Sequence, residues 1–407
     1  MQVYLVGGAV RDQLLKYPVK ERDWVVVGTT PEALLEQGYQ QVGKDFPVFL
    51  HPNTREEYAL ARTERKSAPG YYGFQCNFDP TVTLEEDLKR RDLTINAMAM
   101  DTSGNIIDPY GGQNDLQLKQ LRHVSEAFTE DPLRVLRVAR FAARYYHLGF
   151  RLAPETRLLM HKMVQFGELK YLVVERLWQE WRRSLDEKNP EMFIVSLRAC
   201  GALGVVLPEL DSLFGVPNPP HHHPEIDSGI HSIMCLQAAV ALSTDPILRF
   251  TALIHDLGKG VTPMKQWPRH IDHDEHGMVV IEQLAERLRI PSNYKKFAIL
   301  ASKLHLNIHR FFELNSKTRV KILEQAKAFQ QPESFEQLLM VCACDALGSG
   351  KKEYLQAAAW RSLREACEKV TAKQMIEQGY EGKAIQDALH QARIEIAKQW
   401  QNNYEEQ

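Results

Sequence analysis

The first third of the chain alternates short apolar runs with turn-forming residues. QVYLV, DWVVVG, VFLH and EYALARTE are rich in β-branched and aromatic residues and are bounded by Gly, Pro, Asn and Asp, a pattern that predicts strands. DLTINAMAMD and NIIDPYGG continue it. From about Pro132 the apolar positions shift to helical spacing and keep it. The pattern therefore predicts an α/β head followed by an all-α remainder. Two stretches break the periodicity. ERKSAPGYYGFQCNFDPTV reads as a mobile loop, and LFGVPNPPHHHPEIDSG reads as a boundary before a further helical domain near Ile230. The resulting divisions are 1–130, 131–215 and a further helical region from about 228.

A length of 407 residues agrees with about two to three domains. Apolar residues make up 44% and charged residues 25%, as in ordinary globular proteins. The formal net charge of -2 gives no global attraction to nucleic acid, so any such contact must come from local basic patches. Six cysteines occur singly (Cys76, Cys200, Cys235, Cys367) or as Cys342-x-Cys344, without the C-x-x-C spacing of a zinc ribbon. Reduced thiols in a cytosolic protein are expected. No apolar run reaches the length of a membrane span, and MQVYLVGG is too soon interrupted for a signal peptide, so a cytoplasmic protein with no membrane contact is expected.

The opening stretch YLVGGAVRDQLLKYPVKERDWVVVG carries the first candidate chemistry. If RDWVVVG is a strand, Glu21 and Asp23 point to the same face. Two carboxylates side by side repel unless a cation separates them, and an oxygen-preferring divalent ion does so. The turn at Gly7-Gly8 leaves backbone N–H groups free to approach a phosphate, with Arg11 one turn on. Phosphate beside metal describes a nucleoside triphosphate site. KRRDLTINA offers Arg90 and Arg91, at the start of an expected helix, as further phosphate contacts.

EDPLRVLRVARFAAR predicts a helix opened by Pro132. At about 3.6 residues per turn, Arg134, Arg137, Arg140 and Arg144 fall on one stripe, without interleaved acids to compensate it. Farther on, GIHSIMCLQAAVAL and RFTALIHDLGKG read as two helices that carry His231 and the His255-Asp256 pair. Imidazole with carboxylate suits a borderline divalent metal such as nickel, manganese, cobalt or zinc. The consecutive histidines His221, His222 and His223 are not read as a metal site, since neighbours in a loop seldom converge on one ion.

Taken in order, LVGGAVRDQLL, ERDWVVVG, FPVFLHP, LARTERK, LKRRDLTINAMA, DPYGG, EDPLRVLRVARFAAR, HPEIDSGIH and HDLGKG resemble the class II tRNA nucleotidyltransferases. These are the CCA-adding enzymes of the polymerase β superfamily, here in the form of the bacterial multifunctional CCA proteins that carry an HD domain. The resemblance spans essentially the whole chain. It implies a polymerase β-like nucleotidyltransferase head over 1–130, an all-α neck and body over 131–215, an all-α HD phosphohydrolase domain over 228–330 and a C-terminal helical region over 331–407.

In that family an acid-x-acid pair binds magnesium, which falls on Glu21 and Asp23. The first position departs from the family's aspartate by one methylene. Glu64 is the candidate for a third carboxylate. The family's nucleotide contacts fall on Gly8, Arg11 and Arg91, with the stripe residues Arg137 and Arg140 beside them, and its base-reading pair falls on Asp131 and Arg134. Cytosine and adenine both present an exocyclic amino donor beside a ring-nitrogen acceptor. A carboxylate accepts and a guanidinium donates, so this pair suits CTP and ATP and mismatches uracil and guanine. The HD pattern assigns His231, His255 and Asp256 as ligands of nickel or another transition metal, with Asp345 as the distal acid and His273, His276 and His305 as extra ligands or phosphate contacts.

The resemblance implies template-free addition and repair of the tRNA 3′-CCA end, with phosphatase, 2′-nucleotidase and 2′,3′-cyclic phosphodiesterase activities from the HD domain, in a monomer or homodimer. Three alternatives share features. A bacterial poly(A) polymerase has the same head, but tends to have basic extensions and no intact HD signature. A guanosine alarmone synthetase-hydrolase carries its hydrolase first. A catalytically dead RNA-binding homologue is conceivable from Glu21, but retention of Asp23, Arg91 and the base-reading motif argues against it.

Overall fold

The run VVV in the second strand is apolar without alternation because both faces of that strand are covered. β1 (Gln2–Val6) pairs antiparallel with β2 (Asp23–Val27), placing Val6 opposite Asp23. Val25 packs with Val6, Val82, Leu88 and Ala97, whereas its neighbour Val26 packs with Leu34, Phe49 and Leu60 on the other side. The seven-stranded mixed sheet runs β3 (Gln40–Val42), β4 (Val48–Leu50), β5 (Glu57–Leu60), β2, β1, β8 (Ala99–Met100), β9 (Ile106–Ile107). β6 (Thr63–Lys66) and β7 (Phe74–Asn77) form a separate antiparallel ribbon. This computed structural model describes every residue except 20, 43–47, 67–73, 221–226 and 406–407, and the side chains of 64–66, 74–76 and 403–405 are likewise outside the description. The expected loop over 64–82 is corrected at its two arms, which pair as β6 and β7, while 67–73 and all three of His221, His222 and His223 lie outside the described residues.

The chain divides into two compact units, Met1–Val206 and Leu207–Gln407. The first holds the sheet with α1 (Gly8–Leu14), α2 (Pro31–Glu36), α3 (Leu84–Lys89) and α4 (Gly112–Leu118). It continues into α5 (Leu133–Tyr145), α6 (Pro154–Gln165), α7 (Val174–Ser184), α8 (Glu191–Ala199) and the short α9 (Leu203–Val206). α5 buries Val135, Leu136, Val138, Ala139 and Ala142 and packs against α7 and α8. A parallel strand pair, β10 (Gln120–Leu121) with β11 (Arg151–Leu152), intrudes into the region expected to be purely helical.

Three local expectations are corrected. Arg90 and Arg91 follow the end of a helix instead of starting one, because a capping box between Thr83 and Glu86 opens α3 at Leu84 and the helix closes at Lys89. DLTINAMAMD is a strand only at Ala99–Met100. Its first part is a 3-10 turn over Thr94–Asn96, fixed by Asn96 Nδ2 donating to Asp92 Oδ1 (2.8 Å) and Thr94 Oγ1 donating to Asp115 Oδ2 (2.7 Å). β2 begins at Asp23, so Glu21 lies in the segment ahead of the strand.

The second unit contains only helices among its described elements: α10 (Pro208–Asp211), α11 (Ser228–Leu242), α12 (Pro246–Ile254), α13 (His273–Arg287), α14 (Ser292–His309), α15 (Ser316–Gln325), α16 (Pro332–Gly348), α17 (Leu355–Glu368), α18 (Ala372–Glu377) and α19 (Lys383–Glu405). Its core joins Cys235 and Ala239 of α11, Leu248 and Ala252 of α12, Leu304 and Ile308 of α14 and Leu338 and Cys342 of α16. Cys200, Cys235, Cys342, Cys344 and Cys367 are buried and free. Among the described residues no helix is long and apolar enough to cross a membrane.

Candidate functional site

Pairing of Val6 with Asp23 sets the turn after β1 directly beside the acid that opens β2. Gly7 has φ 66°, so the turn favours glycine for its conformation, and a Cβ there would press on the Arg91 guanidinium, 2.7 Å away at Nη1. Around it lies a cavity of about 970 Å³ within the first unit. Gly8, Arg11, Glu21, Asp23, Arg91, Asp131, Arg134, Arg137 and Arg140, nine residues singled out from the sequence, all line it. Glu64 lies on β6, and its side chain is outside the described residues.

Asp23 is exposed and lines the cavity. The surrounding protein raises its carboxyl above the usual range, Arg91 opposes that shift, and the Glu21 charge reinforces it. Two carboxylates with only oxygen donors, facing a cavity rich in arginine, fit a hard cation such as magnesium. Arg91 is held by Asp87, with Nη2 3.2 Å from Oδ2, and the same buried acid takes Arg90 at 2.6 Å. Asp87 was not singled out from the sequence. Its signal is the spacing of three and four residues ahead of the two arginines.

The arginine stripe of α5 faces the cavity, and its compensating acids come from other elements. Arg137 Nε donates to Asp92 at 2.8 Å, Arg140 Nε donates to Glu180 of α7 at 2.6 Å, and Arg144 lies 3.6 Å from Asp12. Burial pushes the Asp92 carboxyl up, but Arg137, Asn96 and the Leu93 N–H outweigh it and hold the group well below the usual carboxylate range. Asp131 Oδ1 accepts the Leu133 N–H at 2.9 Å and so caps α5, while Oδ2 accepts from Arg176 at 2.9 Å. Arg134 donates to the carbonyl of Ala127.

In the second unit α11, α12 and α16 bring His231, His255, Asp256 and Asp345 together. His231 Nε2 is 3.0 Å from Asp345 Oδ1 and 3.8 Å from Asp256 Oδ2; His255 Nε2 is 3.5 Å from Asp345 Oδ2 and 3.6 Å from Asp256 Oδ2. His255 Nε2 and Asp256 Oδ1 are buried with no hydrogen-bond partner among the described residues. Buried polar atoms left in that state cost free energy, and a borderline divalent metal fits this mixed nitrogen and oxygen set. Burial pushes Asp256 up, yet Lys259 at 2.6 Å and His255 hold it well below the usual carboxylate range.

His273 and His305 are buried and reach Asp256, whereas His276 lies exposed on α13. Lys259, Cys235, His309 and Tyr354 belong to the same cluster and escaped the sequence reading. Cys235 Sγ lies 3.2 Å from His231 Nε2, and burial pushes its thiol up to about 11. Tyr354 Oη donates to His309 Nδ1 (3.0 Å), whose Nε2–H donates to Asp345 Oδ2 (2.7 Å), a relay that fixes the carboxylate's orientation. The signals are spacing: Lys259 stands three residues after Asp256 and Cys235 one turn after His231.

Three family models match successive parts of the chain. The family model "Poly A polymerase head domain" matches residues 3–122, "Probable RNA and SrmB-binding site of polymerase A" matches 149–214, and "HD domain" matches 229–331. The fold is shared with the Bacillus stearothermophilus CCA-adding enzyme in complex with CTP, at TM-score 0.64 and 23% identity over 97% of this chain and 88% of that one. It is shared too with the Thermotoga maritima CCA-adding enzyme complexed with tRNA, at TM-score 0.63 and 20% identity over 99% and 91% of the two chains. A "Multifunctional CCA protein" of Legionella pneumophila subsp. pneumophila is 61% identical over 99% of this chain and 100% of its own length. With that identity across both full lengths, the chain belongs to the multifunctional CCA protein family.

Proposed function

We propose that this protein adds and repairs the 3′-terminal CCA of tRNA from CTP and ATP without a template, and that its HD domain hydrolyses phosphate esters. The observation that supports the first activity best is the single cavity that gathers the glycine turn, the acid pair, Arg91 and the Asp131/Arg134 pair. The 3′-hydroxyl oxygen of the tRNA attacks the α-phosphorus of the nucleotide, the bond to the β-phosphate oxygen breaks, and pyrophosphate leaves. Arg11 and Arg91 hold the triphosphate against the turn at Gly8, and Arg137 and Arg140 keep the α5 face electropositive. Glu21 and Asp23 would hold magnesium, which when bound neutralises charge on the attacking and leaving oxygens. Glu64 is proposed as the third carboxylate of this centre.

Asp131 and Arg134 read the base. Two Asp131 oxygens already accept one hydrogen bond each, and a carboxylate has further lone pairs for an exocyclic amine. A mismatched base leaves desolvated groups unpaired at about 1–3 kcal/mol each. The experiment is single-nucleotide incorporation on tRNA with the Asp131 and Arg134 side chains exchanged. Discrimination against UTP and GTP should collapse; a preference for CTP and ATP as strong as in the wild type would refute the assignment.

His231, His255, Asp256 and Asp345 would hold nickel or another divalent transition metal, which when bound supplies Lewis-acid activation of a phosphate ester. This site carries the proposed phosphatase, 2′-nucleotidase and 2′,3′-cyclic phosphodiesterase activities. Such a hydrolase regenerates the free 3′-hydroxyl that the head uses as nucleophile. A cytoplasmic monomer or homodimer acting on tRNA fits both chemistries. A poly(A) polymerase is the second reading, favoured by the matches to the polymerase A head domain and RNA-binding site.

A further inference from the structure

Arg11, proposed above to hold the triphosphate, is itself held from three sides. It is 3% exposed, and its guanidinium carbon lies 5.2 Å from the Phe141 ring centroid and 5.1 Å from that of Tyr145. Nε donates to Asp12 Oδ1 at 2.8 Å, and Nη1 donates to Asn96 Oδ1. Nη2 is the nitrogen left over. It stands beside the phosphate turn, 3.4 Å from where a Cβ on Gly8 would be, and makes no hydrogen bond among the described residues.

Each acceptor is anchored in turn, and both lines of contact end on α5. Asp12 Oδ1 also accepts from Tyr145 Oη at 2.8 Å, and Arg144 lies 3.6 Å from Oδ2. Burial raises the Tyr145 phenol above its ordinary range, so the hydroxyl keeps its proton and donates. On the other side Asn96 Nδ2 donates to Asp92 Oδ1 at 2.8 Å, and Asp92 Oδ2 accepts from Arg137 Nε at 2.8 Å. With its amino group committed to Asp92, Asn96 can offer Arg11 only its carbonyl oxygen. Arg137 and Tyr145 stand about two turns apart on α5, the helix capped by Asp131 and carrying Arg134 in its first turn. The phosphate contact and the base-reading pair are therefore tied to one rigid element.

We infer that Asp12, Asn96 and Tyr145 are positioning residues for nucleotide addition, holding the open edge of Arg11 at the phosphate turn and in register with the base-reading end of α5. The inference rests on the proposed role of Arg11 as a triphosphate contact. Asp12 and Asn96 line the cavity and Tyr145 does not, so the tyrosine acts through Asp12. An arginine fixed in this way loses little side-chain freedom when an anion binds, and more of the contact energy reaches the complex. The rival role for the same bonds is to fasten α5 to the sheet, with no bearing on the nucleotide.

A double-mutant cycle separates the two roles. CTP affinity, by equilibrium dialysis, and single CTP incorporation on tRNA lacking its terminal triplet are measured for full-length wild type, Tyr145→Phe, Arg11→Ala and the double variant. Tyr145→Phe deletes only the hydroxyl and keeps the ring beside Arg11. The expected result is CTP binding weakened about tenfold, the order for one hydrogen bond lost in a charged network, with KM for tRNA unchanged and no further weakening in the Arg11→Ala background. An equal loss with and without Arg11, or no loss in either, overturns the positioning role and leaves Arg11 as a phosphate contact. If Arg11→Ala alone binds CTP as the wild type does, the reading of Arg11 fails and the inference with it. Should Tyr145→Phe not fold, Asn96→Ala cuts the other arm and enters the same cycle against the same outcomes.

Discussion

Arg176 of α7 places Nη2 2.9 Å from Asp131 Oδ2, so the acid proposed to read the base is gripped from a neighbouring helix while it caps its own. An oriented acceptor discriminates between donors and acceptors; a freely rotating one does so less. Arg176→Ala should leave nucleotide addition in place but reduce the preference for CTP over UTP. A partly exposed ion pair is worth up to about 1 kcal/mol, or about fivefold in that ratio. Measured kcat/KM for both nucleotides checks this, and an unchanged ratio would show that Arg176 does not position Asp131.

Separate units for the two chemistries predict a double dissociation. Asp23→Ala should cost nucleotide addition about 10³-fold or more, since metal-assisted charge stabilisation is worth several kcal/mol, while metal-dependent phosphate release continues. His255→Ala or Asp256→Ala should do the reverse. Parallel loss of both activities in any of these folded variants contradicts the assignment. Glu21→Asp should retain addition within about tenfold; an inactive, folded and metal-loaded variant would show that this site has adapted to the longer acid.

Asp92 couples α5 to the turn over Thr94–Asn96, and its depressed carboxyl makes that link pH-dependent. A group whose folded pKa lies below its unfolded value contributes stability that is present above the unfolded value, about 4, and is lost as the pH falls through the folded value. Asp92→Asn should therefore destabilise the first unit at pH 7 by about 1–3 kcal/mol, and flatten the fall in stability below pH 4. Denaturant unfolding of both proteins between pH 7 and pH 2 measures the difference, and identical pH slopes would sink the claim.

Gly258→Ala should act on fold and site together. The added methyl would have to displace the His273 carbonyl, an overpacking that costs about 1–3 kcal/mol or more. We expect a lower melting temperature and weaker retention of metal by the HD unit, with nucleotide addition less affected. A variant as stable and as metal-loaded as the wild type would show that α13 can move away at no cost.

The residues legible in the sequence are those whose chemistry and local pattern coincide. Glu21 and Asp23 sit two positions apart beside a glycine turn, and the α5 arginines recur at helical spacing, so both patterns identify themselves without knowledge of tertiary neighbours. Asp92, Glu180 and Glu187 do not, since their meaning comes from Arg137 and Arg140, which are distant in sequence. The turn over Thr94–Asn96 is misread as a strand for a related reason: its apolar run looks extended, whereas Asp92 and Asp115 draw its side-chain donors into a tight turn. His273 and His305 are legible from the sequence as extra ligands or phosphate contacts, but no more so than the exposed His276; what sets them apart is the close approach of helices that Gly258 and Gly277 allow.

Sizing the products made on a tRNA that lacks its terminal triplet tests the account most directly. With CTP and ATP together the protein should add three residues, C-C-A, and stop; with CTP alone it should add two. Asp23→Ala should add none, and Asp256→Ala should match the wild type on this free 3′-hydroxyl end. A long ladder of A residues, or addition that ignores the supplied base, would contradict it.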